Sequence, residues 1–364
     1  MFQSTKAIWL SLILVVTGFL VACGVQAQPQ TIVQTVEVEK VVTVEVEKQV
    51  EVEKIVTVEV PRQVVKIRVA YPSTVDFEDI PSLIAHDMLV DQGYAIVPTF
   101  YAQSELAVEA LARGDAEFGN GAERTFWAAV TQGASIRTIV EQSANAWSIY
   151  SIPDITTCQD LEGQRLAQHS EGAVSKAMTD AYILENCPGT TPNTIILPGS
   201  ENRAAALLAG EIDATPVELA DAVRIDLQAP GQYHILTNFA KDVPNLETTG
   251  MYVNGDFAAK NPEAVKAYIR AMLTVHRQIA EDPQILIDEA TKWLPIEPEA
   301  LPKIADAYIA INAFDVNGGL SEETLQYSLD FYTNSGSLEA GLTLDDVADL
   351  SYLNEVLEEM GRVE

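Results

Sequence analysis

Three aromatic residues and a scatter of short polar ones stand near the ends of apolar runs, and their chemistry suits gripping a ligand. Tyr71, Trp147 and Tyr150 offer flat faces that stack on a planar heteroaromatic ring. Phe77 and Trp127 read equally well as stacking partners or as core. Around them Asn120, Glu123, Asn145, Ser170, Glu171, Asn202, Thr215 and Glu218 supply the mixed donors and acceptors that read the edge of such a ring. His169 falls in the same set of loops and reads as a hydrogen-bonding residue rather than a general base. An anion would call for Arg or Lys at the site. Arg124 and Lys176 are the available ones, and both fall in helical stretches with a solvent-facing reading. No Ser-His-Asp order or phosphate-binding loop occurs, and His86, His169, His234 and His276 fall in no metal-ligand spacing. The expectation is a binding protein with no catalytic residue, no metal and no cofactor.

Positioning such residues requires loops held by a rigid frame, and the pattern from Lys66 onward supplies one. Residues 66–71 read as a strand, 81–90 as a helix and 94–100 as a second strand. Residues 104–112 read as a helix closed by Gly114, and 115–119 as a third strand. This β-α-β-α-β rhythm predicts an α/β sheet covered by helices. It then restarts. Ser104-Glu105, Ala110-Leu111, Gly114-Asp115 and Glu117 recur 96 residues later as Ser200-Glu201, Ala206-Leu207, Gly210-Glu211 and Asp213. The segment 68–73 recurs 97 residues later as 165–170. Two similar lobes follow, with serine-bearing loops beyond their strand ends, where open α/β sheets bind ligands. The last third reads as helices that brace one lobe. Asn261-Pro262 starts one with Val265, Tyr268, Ile269, Met272, Leu273 and Ile279 on one face. Asp282-Pro283 starts another, and 344–360 forms the last.

The chain opens differently. Lys6 precedes an apolar run from Ala7 to Val21 that ends in Leu20-Val21-Ala22-Cys23, which resembles the lipobox of bacterial lipoproteins. That resemblance implies a signal peptide over 1–22, lipidation of Cys23, and an address on the extracytoplasmic face of the cell membrane. Residues 36–49 and 50–63 are two copies of one Val/Glu/Lys repeat without core-forming spacing, so 23–65 read as the lipidated cysteine and a low-complexity tether. The net charge of −31 argues against nucleic acid as a partner. Cys158 and Cys187 flank one strand–helix unit, and outside the cytoplasm they read as a possible disulfide.

The globular part resembles the solute-binding proteins of ABC importers in the nitrate, sulfonate, taurine and thiamine-pyrimidine group. The resemblance is carried by Ile67-Arg68-Val69-Ala70-Tyr71, the stretch from Ala110 to Gly119, and the stretch from Asp160 to Ala167. Asn261-Pro262-Glu263-Ala264-Val265 and the stretch from Asp345 to Val356 add to it. It covers most of 66–360 and rests on the order of these stretches, none being diagnostic alone. It implies a two-lobed, hinged, periplasmic-binding-protein-like fold. Lobe 1 would be 66–148 plus 246–364 and lobe 2 would be 149–245, with crossings near 147–152 and 240–248. It also implies transport partners, a separate permease and ATPase. Within this group the pattern looks most like the riboflavin-binding components, with a thiamine pyrimidine precursor next and a sulfonate, taurine or nitrate anion as the alternative. The fungal relatives that are enzymes on this fold carry a cysteine-rich loop, which this sequence lacks.

Overall fold

The computed structural model describes residues 64–364. The expected signal peptide, Cys23 and the two repeats lie outside the described residues. Two five-stranded sheets organise the described chain. The first receives β1 (Lys66–Tyr71), β2 (Ala95–Phe100), β3 (Phe118–Gly121) and β4 (Ile136–Ser143), with α1 (Ile80–Asp91), α2 (Ser104–Ala112) and α3 (Glu123–Thr131) between them. The second receives β5 (Trp147–Ser151), β6 (Arg165–Gln168), β7 (Asn193–Ile196), β8 (Ala214–Glu218) and β9 (His234–Asn238). Its helices are α4 (Val174–Asn186), α5 (Ser200–Leu208), α6 (Leu219–Gln228) and the short α7 (Phe239–Asp242). The chain then returns to the first sheet as β10 (Thr249–Asn254).

The two sheets have one topology. Their orders are β2-β1-β3-β10-β4 and β7-β6-β8-β5-β9, each with a parallel half and an antiparallel half. The internal repeat seen in the sequence reappears as a repeated ion pair. Arg68 donates to Glu117 and to the Gly114 carbonyl, tying β1 to the turn after α2. Arg165 does the same with Asp213 and the Gly210 carbonyl after α5. This is the two-lobed α/β fold of periplasmic binding proteins.

The crossings are short. β4 ends at Ser143 and β5 begins at Trp147, so the first crossing is 144–146, just before the expected segment, and Trp147 and Tyr150 are strand residues of the second sheet. The second crossing runs from α7 to β10. Asn145 pins the two together, its Nδ2 donating to the carbonyls of Phe239 (3.3 Å) and Val243 (3.4 Å).

The C-terminal helices are α8 (Gly255–Lys260), α9 (Pro262–Glu281), α10 (Gln284–Trp293), α11 (Leu301–Ala310), α12 (Glu322–Asn334), α13 (Leu344–Val347) and α14 (Leu350–Met360). The predicted stripe of α9 is buried, and with α1, α10, α11 and α14 it forms the core beside the first sheet. Each large aliphatic side chain buried there stabilises by about 2 kcal/mol. The expectation that these helices brace one lobe is too narrow. Leu325, Leu329 and Tyr332 of α12 pack with Trp127 and Trp147 and with Val174 and Met178 of α4, so α12 touches both halves. The single helix expected over 344–360 is broken, because Ala348 bridges to Thr138 at the edge of β4 and Asp349 caps a new start through Ser351. Cys158 and Cys187 are joined in a disulfide with Cα atoms 5.7 Å apart. Among the described residues, no helix is long and apolar enough to cross a membrane.

Candidate ligand-binding cleft

The loops after β1, β3 and β6 meet between the two sheets and enclose a cavity of about 50 Å³. Its floor is acidic. After β1 the chain makes a single helical turn, Phe77–Asp79, entered through Asp76, whose carboxylate and that of Asp79 cap one another's backbone amides. This turn buries Glu78 and Asp79 and directs them, with Asp76, at the cavity. Asn120 on β3 donates its Nδ2 to Asp79 Oδ1 at 2.9 Å. On the other face of β3, Gly119 leaves room for the Phe126 ring, since a Cβ there would lie 2.9 Å from it. Gln142 on β4 donates to the Glu78 carbonyl and Ser143 to its carboxylate.

Burial shifts all three acids upward. It raises Glu78 to about 8, with the Asp79 charge adding to it, and Asp79 to about 7, against the pull of the Asp76 amide and Asn120. Asp76 is pushed well up by burial and then by Asp79, Glu201, Glu78 and Asp221. At neutral pH the floor therefore holds protons that a cation or a hydrogen-bond donor displaces. Among the described residues, no Arg or Lys lines the cavity. The nearest buried cation, Arg203, is spent on the carbonyls of Leu197, Gly199 and Pro216.

The opposite wall comes from β5, β6 and the start of α4. Trp147 lines the cavity and its Nε1 is buried with no protein acceptor. His169 lines it too, with Nδ1 accepting the Gly199 amide at 3.2 Å, which places the proton of the neutral ring on Nε2. Burial and then the Arg203 guanidinium push this imidazole down to about 4, so it is uncharged at neutral pH. Two carboxylates tie the walls together, in matching positions at the starts of α2 and α5. Glu105 Oε1 accepts the Gly172 amide at 2.5 Å and the Ser170 hydroxyl at 3.2 Å. Glu201 Oε1 accepts the Thr74 hydroxyl at 3.2 Å.

Of the residues expected at the site, the structure brings Asn120, Trp147 and His169 to the cavity wall. Ser170 lies beside it, bonded to Glu105. Glu218 and Asn202 face a second, outer chamber, and Glu218 accepts a bond from the Tyr308 hydroxyl. The structure places the other candidates, and the two cations considered for an anion, away from this cavity. Tyr71 points into the core behind the cleft, bonded to Ser82 at 2.7 Å and packed on Phe100. Tyr150 points into the core of the second sheet and donates to Asp226 at 3.1 Å. Thr215 is buried within the second sheet against the Ala167 carbonyl, and Glu123 is buried beside Tyr252 and Glu247. Glu171 is exposed near Lys176. Arg124 binds the carbonyls of Ser337 and Glu171, and Lys176 pairs with Asp180. Sequence reasoning missed Asp76, Glu78 and Asp79, the Ser104 and Ser175 helix starts, Thr249 and the two tying carboxylates. The Ser104/Ser200 match, with a Glu next to each serine, was the one signal that pointed toward Glu105 and Glu201.

Comparison with known structures gives the same architecture. The zinc-bound ligand-binding component of an ABC-type import system from Staphylococcus aureus superposes with a TM-score of 0.66 at 12% identity, over 80% of this chain and 99% of that one. The alkanesulfonate-binding protein from Xanthomonas axonopodis pv. citri, bound to MOPS, gives 0.63 at 16% identity, over 78% and 97%. A desulfurization enzyme gives 0.61 at 13% identity, over 81% and 99%. At such identities the likeness establishes the fold and does not separate binding from catalysis. No curated protein matches the sequence. A family model described as NMT1/THI5 like matches residues 89–285, from α1 through the second sheet to α10. That span is more than half of the 364 residues, and the chain belongs to the NMT1/THI5-like family.

Proposed function

We propose that this protein is the solute-binding component of an ABC importer and that it captures a small planar solute bearing an amino or cationic group. The observation that carries the ligand class is the cavity floor, where Asp76, Glu78 and Asp79 converge and no Arg or Lys lines the wall. A ring amine donates to these carboxylates while Trp147 covers a ring face and offers its Nε1 to an acceptor. Among the planar vitamins, this favours a thiamine pyrimidine precursor over riboflavin. A flavin was expected to stack on Tyr71, Trp147 and Tyr150, and of these Trp147 alone lines the cavity.

The anion reading has one observation in its favour, since the starts of α2, α3 and α4 all border the cavity. The chain answers part of that demand itself, because the Gly172 amide before α4 is already taken by Glu105. Catalysis has little support: the basic lone pair of His169, on Nδ1, is occupied by the Gly199 amide and so offers no base to the cavity. The lobes proposed to move are 66–148 with 246–364 against 149–245, closing over the solute for delivery to a separate permease and ATPase. A lipid on Cys23 would keep the receptor near that permease.

Calorimetry with the thiamine pyrimidine precursor, riboflavin and taurine tests the ligand class. Binding of the pyrimidine, lost in Asp79→Asn, is the expected result. Binding of taurine alone would sink the reading.

A further inference from the structure

Asp76 lines both the inner cavity and a chamber of about 680 Å³, a volume within the range of small-molecule sites. Its walls come from three separate stretches. Residues 74–77, after β1, and Phe100, at the end of β2, form one wall, α5 and α6 supply the second, and 293–296 form the third. The chamber is two-sided in character. One side is aromatic and aliphatic, with Phe77, Phe100 and Trp293. Phe100 and Trp293 remain 36% and 43% exposed, although Trp293 is fixed in orientation by an Nε1 bond to Glu289 at 2.8 Å. The other side is acidic. Asp76, Glu201, Glu218 and Asp221 stand against two guanidiniums: Arg224 at the wall, held by Asp221 at 3.1 Å and 3.9 Å from Glu297, and the buried Arg203 behind them. Glu201 Oε2 is buried there with no hydrogen-bond partner.

We propose that this chamber is a second subsite of the cleft and that it takes the apolar body of an organic cation whose charged group reaches toward Asp76. The chemistry of the two faces fits that ligand class. The carboxylates attract the cation, and their mutual repulsion falls when it binds. The Phe100 and Trp293 rings cover its carbon skeleton and add cation–π attraction. Pre-oriented rings lose little entropy on contact. The idea rests on the acidic-cleft reading above and extends it from a small amine to one with an apolar extension.

Methylammonium and 1-naphthylmethylammonium, titrated by calorimetry into the full chain, separate the two readings. The naphthyl probe is expected to bind at least about tenfold more tightly, as burial of an aromatic ring implies. In Trp293→Ala and in Ala205→Phe, which fills the chamber from α5, that ratio is expected to drop to about twofold. Thermal unfolding checks that both variants fold. A ratio that stays near tenfold in both variants overturns the second subsite while leaving the acidic cleft intact. Equal binding of the two probes to the unaltered protein overturns it as well. Failure of both ammonium probes, with naphthalenesulfonate binding instead, overturns the acidic-cleft reading itself.

Discussion

Replacing Glu105 by alanine removes the stronger of the two ties across the cleft. Its Oε1 accepts a backbone amide, Gly172 N at 2.5 Å, and a hydroxyl, Ser170 Oγ at 3.2 Å. Hydrogen bonds to a charged group contribute about 1.5–3 kcal/mol each. The site is partly buried, so the amide bond is worth about 2 kcal/mol and the longer hydroxyl bond well under that. Both bonds join loops of opposite walls, so under the proposed hinge motion they are lost when the cleft opens. Their loss shifts the closing equilibrium by about 30-fold toward the open form, and solute affinity falls by a similar factor if tight binding needs closure. Glu201→Ala removes one exposed bond and should cost under about fivefold. Calorimetry with the pyrimidine gives the affinities, and hydrogen exchange at the Gly172 amide reports the tie directly. An affinity within twofold of the original, with Gly172 still protected, would refute the view that Glu105 holds the cleft shut.

The acidic floor should make stability fall with pH. Glu78 and Asp79 have folded values near 8 and 7, above their unfolded ones, so the folded state holds protons that the unfolded chain has released. Their contribution is complete below about pH 4 and is lost as pH rises through 7 to 8. His86 and His169, lowered by burial to about 3 and 4, act in the opposite direction only below about pH 6.5. Urea unfolding should therefore show a declining midpoint between pH 6.5 and 8, and Glu78→Gln should flatten that decline. Reduction of Cys158–Cys187, which are 29 residues apart in sequence, should destabilise the protein by about 3–4 kcal/mol and lower the thermal midpoint. Gly119→Ala should cost about 1–3 kcal/mol by thermal unfolding, because its Cβ meets the Phe126 and Leu111 side chains.

Much of the frame was legible because it is built from local rules. The helix Ser104–Ala112 was read correctly because Gly114 stops it, and the Arg68/Arg165 repeat survived as a repeated clamp. The site was less legible. Strand alternation already put Tyr71 on the same side as Ile67 and Val69, both core residues, so its place at a strand end misled. The same alternation puts Trp147 and Tyr150 on opposite faces of β5, so the two could not both line one cleft. The run Asp76-Phe77-Glu78-Asp79 has no periodicity that marks its acids as buried. Only packing against Asn120, Gln142 and Ser143, all distant in sequence, makes it the buried floor.

The clamp that Arg68 and Arg165 repeat in the two halves implies a division of labour. The frame of each half is set by the same few residues, whereas the loop that follows the clamped strand is free to differ. After β1 that loop carries three acids, two of them buried; after β6 it lines the cavity with His169, Ala173 and Val174 and turns its one acid, Glu171, outward. On the proposed function, discrimination between solutes is concentrated in a short stretch of one half, and the other serves as a cover. Exchanging residues 72–79 alone should retune what the receptor accepts while leaving both scaffolds, and the way they shut, as they are.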